Sequence, residues 1–141
     1  MLAFAPENIR IFYADDDVDD IFFFSNAVDE IGWHCRLDTF PNGVELLEHL
    51  NIDYRYHNVI FLDINMPLKN GIECLKDIKS NNKWSLVPVF IISTSNSHVL
   101  REKVMGMGAS GFIEKPSDFN DLKEKIKEVV TGAWPGVKQN N

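Results

Sequence analysis

One stretch constrains this chain more than any other. Val59-Ile60-Phe61-Leu62 is an unbroken apolar run that ends on a single carboxylate, Asp63, before Met66-Pro67 and Asn70-Gly71 break the pattern. A short apolar run closed by turn residues reads as a strand buried on both faces, the kind found in parallel sheets flanked by helices. Asp63 then stands at the carboxyl end of its strand, where open α/β sheets hold their ligands. A carboxylate left unpaired in such a place is costly, so other segments must compensate it.

The rest of the chain alternates between strand and helix patterns. Asn8 to Ala14 reads as strand 1, ending in Asp15-Asp16-Asp17. Helix 1 follows over Val18 to Ile31, with Val18, Ile21, Phe24, Ser25, Val28 and Ile31 on the inward face and Phe23 on the polar side. Cys35 to Phe40 reads as strand 2, and the next helix carries Val44, Leu47 and Leu50 at helical spacing. Gly71 to Ser80 is helix 3, and Val87 to Ile92 is strand 4, ending in Ser93-Thr94-Ser95. Helix 4 spans Ser97 to Met107, and strand 5 is Gly111 to Glu114, leading into Lys115-Pro116. Ser117 is the expected cap of helix 5, whose inward stripe is Phe119, Leu122, Ile126 and Val129. Five such alternations predict an α/β fold with a five-stranded parallel sheet and helices on both faces. With right-handed crossovers the expected strand order is the flavodoxin-like 2-1-3-4-5. The expected boundaries are an N-terminal extension over 1–7, one folded domain over 8–131, and a C-terminal tail over 132–141.

Composition narrows the function. Against 14 basic residues stand 21 acidic ones, a formal charge of -7, which argues against a nucleic-acid surface. No apolar run approaches the ~20 residues of a membrane span, and Met1 to Pro6 lacks the pattern of a secretory signal. Cys35 and Cys74 share no metal or redox spacing and read as small buried hydrophobes in a reducing cytoplasm. The histidines His34, His49, His57 and His98 are scattered and read as neither ligands nor phosphodonors.

In the expected sheet, the residues just past strands 1, 3, 4 and 5 converge on one edge. They are Asp15 and Asp16, Asp63, Ser93 and Lys115. Crowded carboxylates repel one another, and a hard divalent cation relieves the repulsion. Mg²⁺ suits such a set, with Asp16, Asp63 and the backbone carbonyl of Asn65 as direct ligands and Asp15 acting through water. A carboxylate beside Mg²⁺ can attack phosphorus to give an acyl phosphate. Lys115 would neutralise one phosphoryl oxygen as a point charge, and Ser93 would donate a hydrogen bond to another. Each residue also has a plainer reading. The acidic cluster serves equally as a helix cap with first-turn acids, and Ser93 and Lys115 alone would be ordinary surface groups.

The acidic cluster after strand 1, Phe-Leu-Asp-Ile-Asn-Met-Pro with its Asn-Gly, the strand-end Ser93 and Gly-Phe-Ile-Glu-Lys-Pro together carry a resemblance. From about Asn8 to Thr131 the chain resembles the receiver domain of two-component response regulators, closest to stand-alone receivers of the kind paired with phytochrome-type kinases. The resemblance implies that Asp63 accepts phosphate from a sensor histidine kinase or phosphotransfer protein, with Asp15, Asp16, Asp63 and the Asn65 carbonyl holding Mg²⁺. Lys115, Ser93 and Thr94 would border the phosphoryl group. Ser93 and Phe112 would form the switch that reshapes the surface of helix 4, strand 5 and helix 5, which includes Arg101, Lys103, Met105, Phe112 and Phe119. That surface would act on an unidentified downstream protein, form a homodimer, or pass the group onward. Lys115-Pro116 is often cis in the family. Two departures stand out: Phe112 lacks a tyrosine hydroxyl, and Thr94 is bulkier than the small residue many receivers have there. Phe23 is either a kinase-docking residue or covered by another part of the chain. The competing readings are a Mg²⁺-dependent phosphatase of the haloacid dehalogenase class, a flavodoxin relative, and a phosphate-independent receiver-like scaffold. The first needs a second Asp where Asn65 stands, and the second needs a Ser/Thr/Gly phosphate loop where this chain has acids.

Overall fold

The computed structural model describes residues 8–32, 35–132 and 134. The expected extension over 1–7, His34, and most of the expected tail lie outside the described residues. The elements run β1 (Ile9–Ala14), α1 (Val18–Ile31), β2 (Cys35–Phe40), α2 (Gly43–His49), β3 (His57–Asp63), α3 (Gly71–Ser80), β4 (Val89–Ser93), α4 (His98–Gly106), β5 (Gly111–Glu114) and α5 (Phe119–Val130). The strands form one parallel sheet in the order β2-β1-β3-β4-β5, as expected.

Alternation along the central strands feeds two cores, one per face. Ile9, Ile11 and Tyr13 of β1 face one way, with Phe61 of β3 and Ile92 of β4, and pack against Phe24, Ala27 and Val28 of α1 and Leu122 and Ile126 of α5. Phe12, Ile60, Leu62 and Ile91 face the other way and pack against Leu46 of α2, Cys74, Leu75 and Ile78 of α3 and Val104 of α4. Two-sided burial is why these strands read as apolar runs.

Several side chains point elsewhere than periodicity alone predicts. Val18, expected inward, is 75% exposed: it is the first residue of α1, whose buried residues begin at Phe24. In α2 the fully buried residue is Leu46, with Leu47 only partly covered. Asn42 caps α2, and the Gly43 N–H donates to the Lys69 carbonyl at 3.2 Å, so the helix start is tied to a distant loop that sets its rotation. The cap of α5 is Asp118, whose carboxylate accepts the Asp121 N–H, and not Ser117. Trp134, within the expected tail, packs edge-on against Phe90 with ring centroids 5.7 Å apart. No peptide bond among the described residues is cis, so Lys115-Pro116 is trans.

Candidate functional site

Four strands deliver their next residues to the same edge of the sheet. Asp15 follows β1, Asp63 and Ser93 end β3 and β4, and Lys115 follows β5. Backbone bonds fix each position: the Asp15 N–H donates to the Phe40 carbonyl at 3.0 Å, and the Lys115 N–H to the Ser93 carbonyl at 2.7 Å. The chain then turns away sharply. Asp17 caps α1 by accepting the N–H groups of Asp19 and Asp20, and Asn70 with Glu73 forms a capping box at the start of α3. The Gly71 N–H donates to the Ile64 carbonyl at 2.9 Å, drawing α3 tightly under the end of β3.

Lys115 is the hub. Its ammonium lies 2.8 Å from Asp15 Oδ2, 2.7 Å from Asp20 Oδ2 and 3.2 Å from Asp63 Oδ1. Burial disfavours the charged ammonium, but the hydrogen bonds to Asp15 and Asp20 and the surrounding carboxylates outweigh it, so Lys115 stays charged well above its ordinary range. Asp15 is fully buried. Its Oδ2 also accepts the Tyr13 hydroxyl at 2.5 Å, and its Oδ1 accepts the Asp17 N–H at 3.0 Å. Burial first, then the charge of Asp15, raises the Tyr13 hydroxyl far above its usual range, so it remains a donor. Asp63 is 6% exposed, and burial together with the Asp15 charge pushes its carboxyl up to about 6 against the opposing pull of Lys115.

Asp15, Asp16 and Asp63 each offer a carboxylate oxygen within 4.8 Å of the others. Three hard oxygen donors with neither thiolate nor imidazole suit a hard divalent cation such as Mg²⁺. Both oxygens of Asp15 already accept hydrogen bonds from the protein. Asp16 is exposed and Asp63 opens to the same edge, which makes them the better direct ligands.

The remaining expected site residues sit as follows. Ser93 is buried, and its Oγ accepts the Ser95 N–H at 3.1 Å, leaving the hydroxyl proton to be donated. Thr94 and Asn65 are exposed beside the edge. Phe112 does not lie on the surface: it is buried, with the Arg101 guanidinium 4.9 Å above its ring. Phe119 is half-buried, whereas Arg101, Lys103 and Met105 are exposed. Phe23 is half-buried and meets Phe119 edge-on at 5.4 Å, so α5 supplies much of its cover. The exposed aromatic of α1 is its neighbour Phe22, at 68%.

Two participants escaped the sequence reading: Tyr13 and Asp20. Each carried a usable signal. Tyr13 lies two residues before Asp15, hence on the same side of the strand, and Asp20 lies one helical turn beyond Asp16.

The family model described as the response regulator receiver domain matches residues 11–127. The chain is 31% identical over 121 residues to the transcriptional regulatory protein CpxR homolog of Haemophilus influenzae, a match covering 86% of this chain and 50% of that protein. It is 29% identical over 126 residues to the chemotaxis protein CheY1 of Helicobacter pylori, covering 88% of this chain and 98% of that one. Among solved structures, the phosphorylated cyanobacterial phytochrome response regulator RcpA superposes with a TM-score of 0.76 at 25% identity, covering 86% of this chain and 91% of its own. The chain thus spans about half the length of the CpxR homolog and nearly all of CheY1.

Proposed function

The chain belongs to the response regulator receiver family, and from that premise we propose that Asp63 accepts a phosphoryl group in a Mg²⁺-dependent reaction. The donor is a sensor histidine kinase or a phosphotransfer protein. One observation supports this most: a buried carboxylate at a strand end lies 3.2 Å from a lysine ammonium and within 4.8 Å of two further carboxylates. A carboxylate oxygen of Asp63 attacks phosphorus, the bond from phosphorus to the donor breaks, and the donor leaves with that electron pair. Lys115 offers positive charge to one phosphoryl oxygen, and the Ser93 hydroxyl turns its proton toward another. Thr94 borders the same space from the exposed side. Asp15, Asp16, Asp63 and the Asn65 backbone carbonyl are the residues that would hold Mg²⁺, which when bound neutralises charge on the transferring group.

The receiver family is a signalling module, and the chemistry proposed for this chain is its own phosphorylation and the reversal of it. The output surface is α4, β5 and α5, acting on a downstream protein or on a second copy of the chain. The switch residues are Ser93 and Phe112, whose ring is buried in this structure with the Arg101 guanidinium over it. The domain is taken as 8–131, with 1–7 and 132–141 as its flanks, in a cytoplasmic setting that suits the two free thiols. The phosphatase alternative finds no support, since the matched family is the receiver and the position it needs is Asn65.

The test is intact-mass spectrometry after incubation with acetyl phosphate, with and without Mg²⁺. Wild type is expected to gain one phosphoryl group only with Mg²⁺, and Asp63→Asn none. An unmodified wild type, or equal modification of Asp63→Asn, overturns the reading, the first outcome in favour of a phosphate-independent scaffold.

A further inference from the structure

Resting on Asp63 as the phosphoacceptor, we propose that Asp20 is a positioning residue that restrains Lys115 and slows the acceptance of dianionic phosphodonors. An ammonium has three N–H donors and no acceptor. Here those donors face three carboxylates, and the shortest of the three contacts, at 2.7 Å, is to Asp20. A phosphoryl oxygen arriving at Asp63 must displace one partner or share it. Asp15 is fully buried and cross-braced by Tyr13 and the Asp17 N–H, so its contact is fixed. The Asp63 contact turns into the contact with the modified group. Asp20, with 37% of its side chain exposed, is the partner that can be released to water.

Its charge acts as well as its hydrogen bond. Asp15, Asp20 and Asp63 set three carboxylates around one ammonium, with Asp16 within 4.8 Å of Asp15 and Asp63, so Asp20 adds negative charge to a place that must receive an anion. The cleft beside it is walled by Phe23, Phe24, Ile92 and Leu122, which leaves this charge less screened than on an open surface. A purely structural account would make Asp20 one more first-turn acid of α1. Asp19 fits that account, with its N–H on the Asp17 cap and its carboxylate outside the Lys115 cluster.

Asp20→Asn keeps the acceptor oxygen and removes the charge. With Mg²⁺ and acetyl phosphate, in which Asp63 displaces acetate from phosphorus, Asp20→Asn is expected to be modified about three- to tenfold faster than wild type. Asp20→Ser is expected to move in the same direction, and Asp20→Glu to return to the wild-type rate. The gain is expected to shrink with phosphoramidate, a less negative donor, and at high ionic strength. A loss of structural support alone would slow modification or leave the donor ranking unchanged. Unchanged or slower modification of both uncharged variants overturns the proposal, as does an equal gain with both donors. A wild type that takes no phosphoryl group sinks the parent reading and this inference with it, whereas a modified wild type with indifferent variants sinks only the inference.

Discussion

Gly71→Ala tests how tightly the phosphoacceptor is held. Gly71 is the first residue of α3 and has no left-handed φ, so backbone conformation is not what requires glycine. Close approach is. A Cβ built there would lie 2.3 Å from the Asp63 carbonyl oxygen, 3.0 Å from its carbonyl carbon and 3.0 Å from the Ile64 Cα. These are backbone atoms, and Asp63 is paired in register with Ile92 of β4, so they cannot swing aside as a side chain would. Overpacking costs about 1–3 kcal/mol, and a rigid obstacle puts this case at about 2–3 kcal/mol after the small helical advantage of alanine. For a domain of this size that is a fall in Tm of roughly 6–12 °C. Relief by backing α3 away would also shift Asp63 relative to Lys115 and slow its modification. Thermal melts followed by circular dichroism, with the acetyl phosphate rate alongside, read both effects. Gly106→Ala is the control: it ends α4 with nothing within 4 Å of the added carbon, so it should raise stability by up to about 1 kcal/mol. A Gly71→Ala protein melting within about 2 °C of wild type, at an unchanged rate, would refute the close-approach argument.

In metal-free buffer, Asp63→Asn should be more stable than wild type above pH 7. The fold raises the Asp63 carboxyl to about 6, so its neutral form is favoured in the folded state and that stabilisation is lost as pH rises through 6. Urea unfolding should show a lead of about 1–3 kcal/mol at pH 8 that shrinks toward pH 5, and a lead independent of pH would contradict it. Thr94→Ala should shorten the life of the acyl phosphate if the exposed Thr94 side chain shields the group beside Ser93 from water; equal decay rates would remove that role. Phe22→Ala should slow phosphotransfer from the cognate kinase while leaving acetyl phosphate modification intact, since Phe22 is the exposed aromatic of α1. Undiminished kinase transfer would place docking elsewhere.

The parts of the fold that were legible in sequence are those whose signal is local. β2, α3 and β5 fall at the expected bounds, because Cys35 to Phe40, Gly71 to Ser80 and Gly111 to Glu114 are each closed by Gly, Pro or Asn turn chemistry. The site was legible for a topological reason: parallel strands end on one edge, so the residues after them meet whatever lies between them. What escaped depends on contacts between distant segments. The rotation of α2 follows from Gly43 seated against Lys69. The burial of Phe112 depends on its place in the core beside α4, where Arg101 lies over its ring, and no periodicity in a four-residue strand encodes that. Asp20 was hidden because a first-turn acid is the ordinary choice at a helix start, and only the arrival of Lys115 from 95 residues away gives it a second role.

The arrangement around Lys115 also bears on why its backbone is tied where it is. Its N–H donates to the Ser93 carbonyl while its ammonium binds Asp15, Asp20 and Asp63, so one residue couples the end of β4 to the carboxylates of β1 and β3. Ser93 in turn is anchored through its Oγ by the Ser95 N–H at the entry to α4. A new anion on Asp63 would therefore draw on two groups already joined by a backbone hydrogen bond, and any movement of Ser93 would alter the strut that positions α4. The helix that would feel this carries Arg101, whose guanidinium lies over Phe112 of β5. The phosphoacceptor and the α4–β5 face are thus linked by a short chain of named contacts, and the change that would drive it is a change of charge at one buried carboxylate.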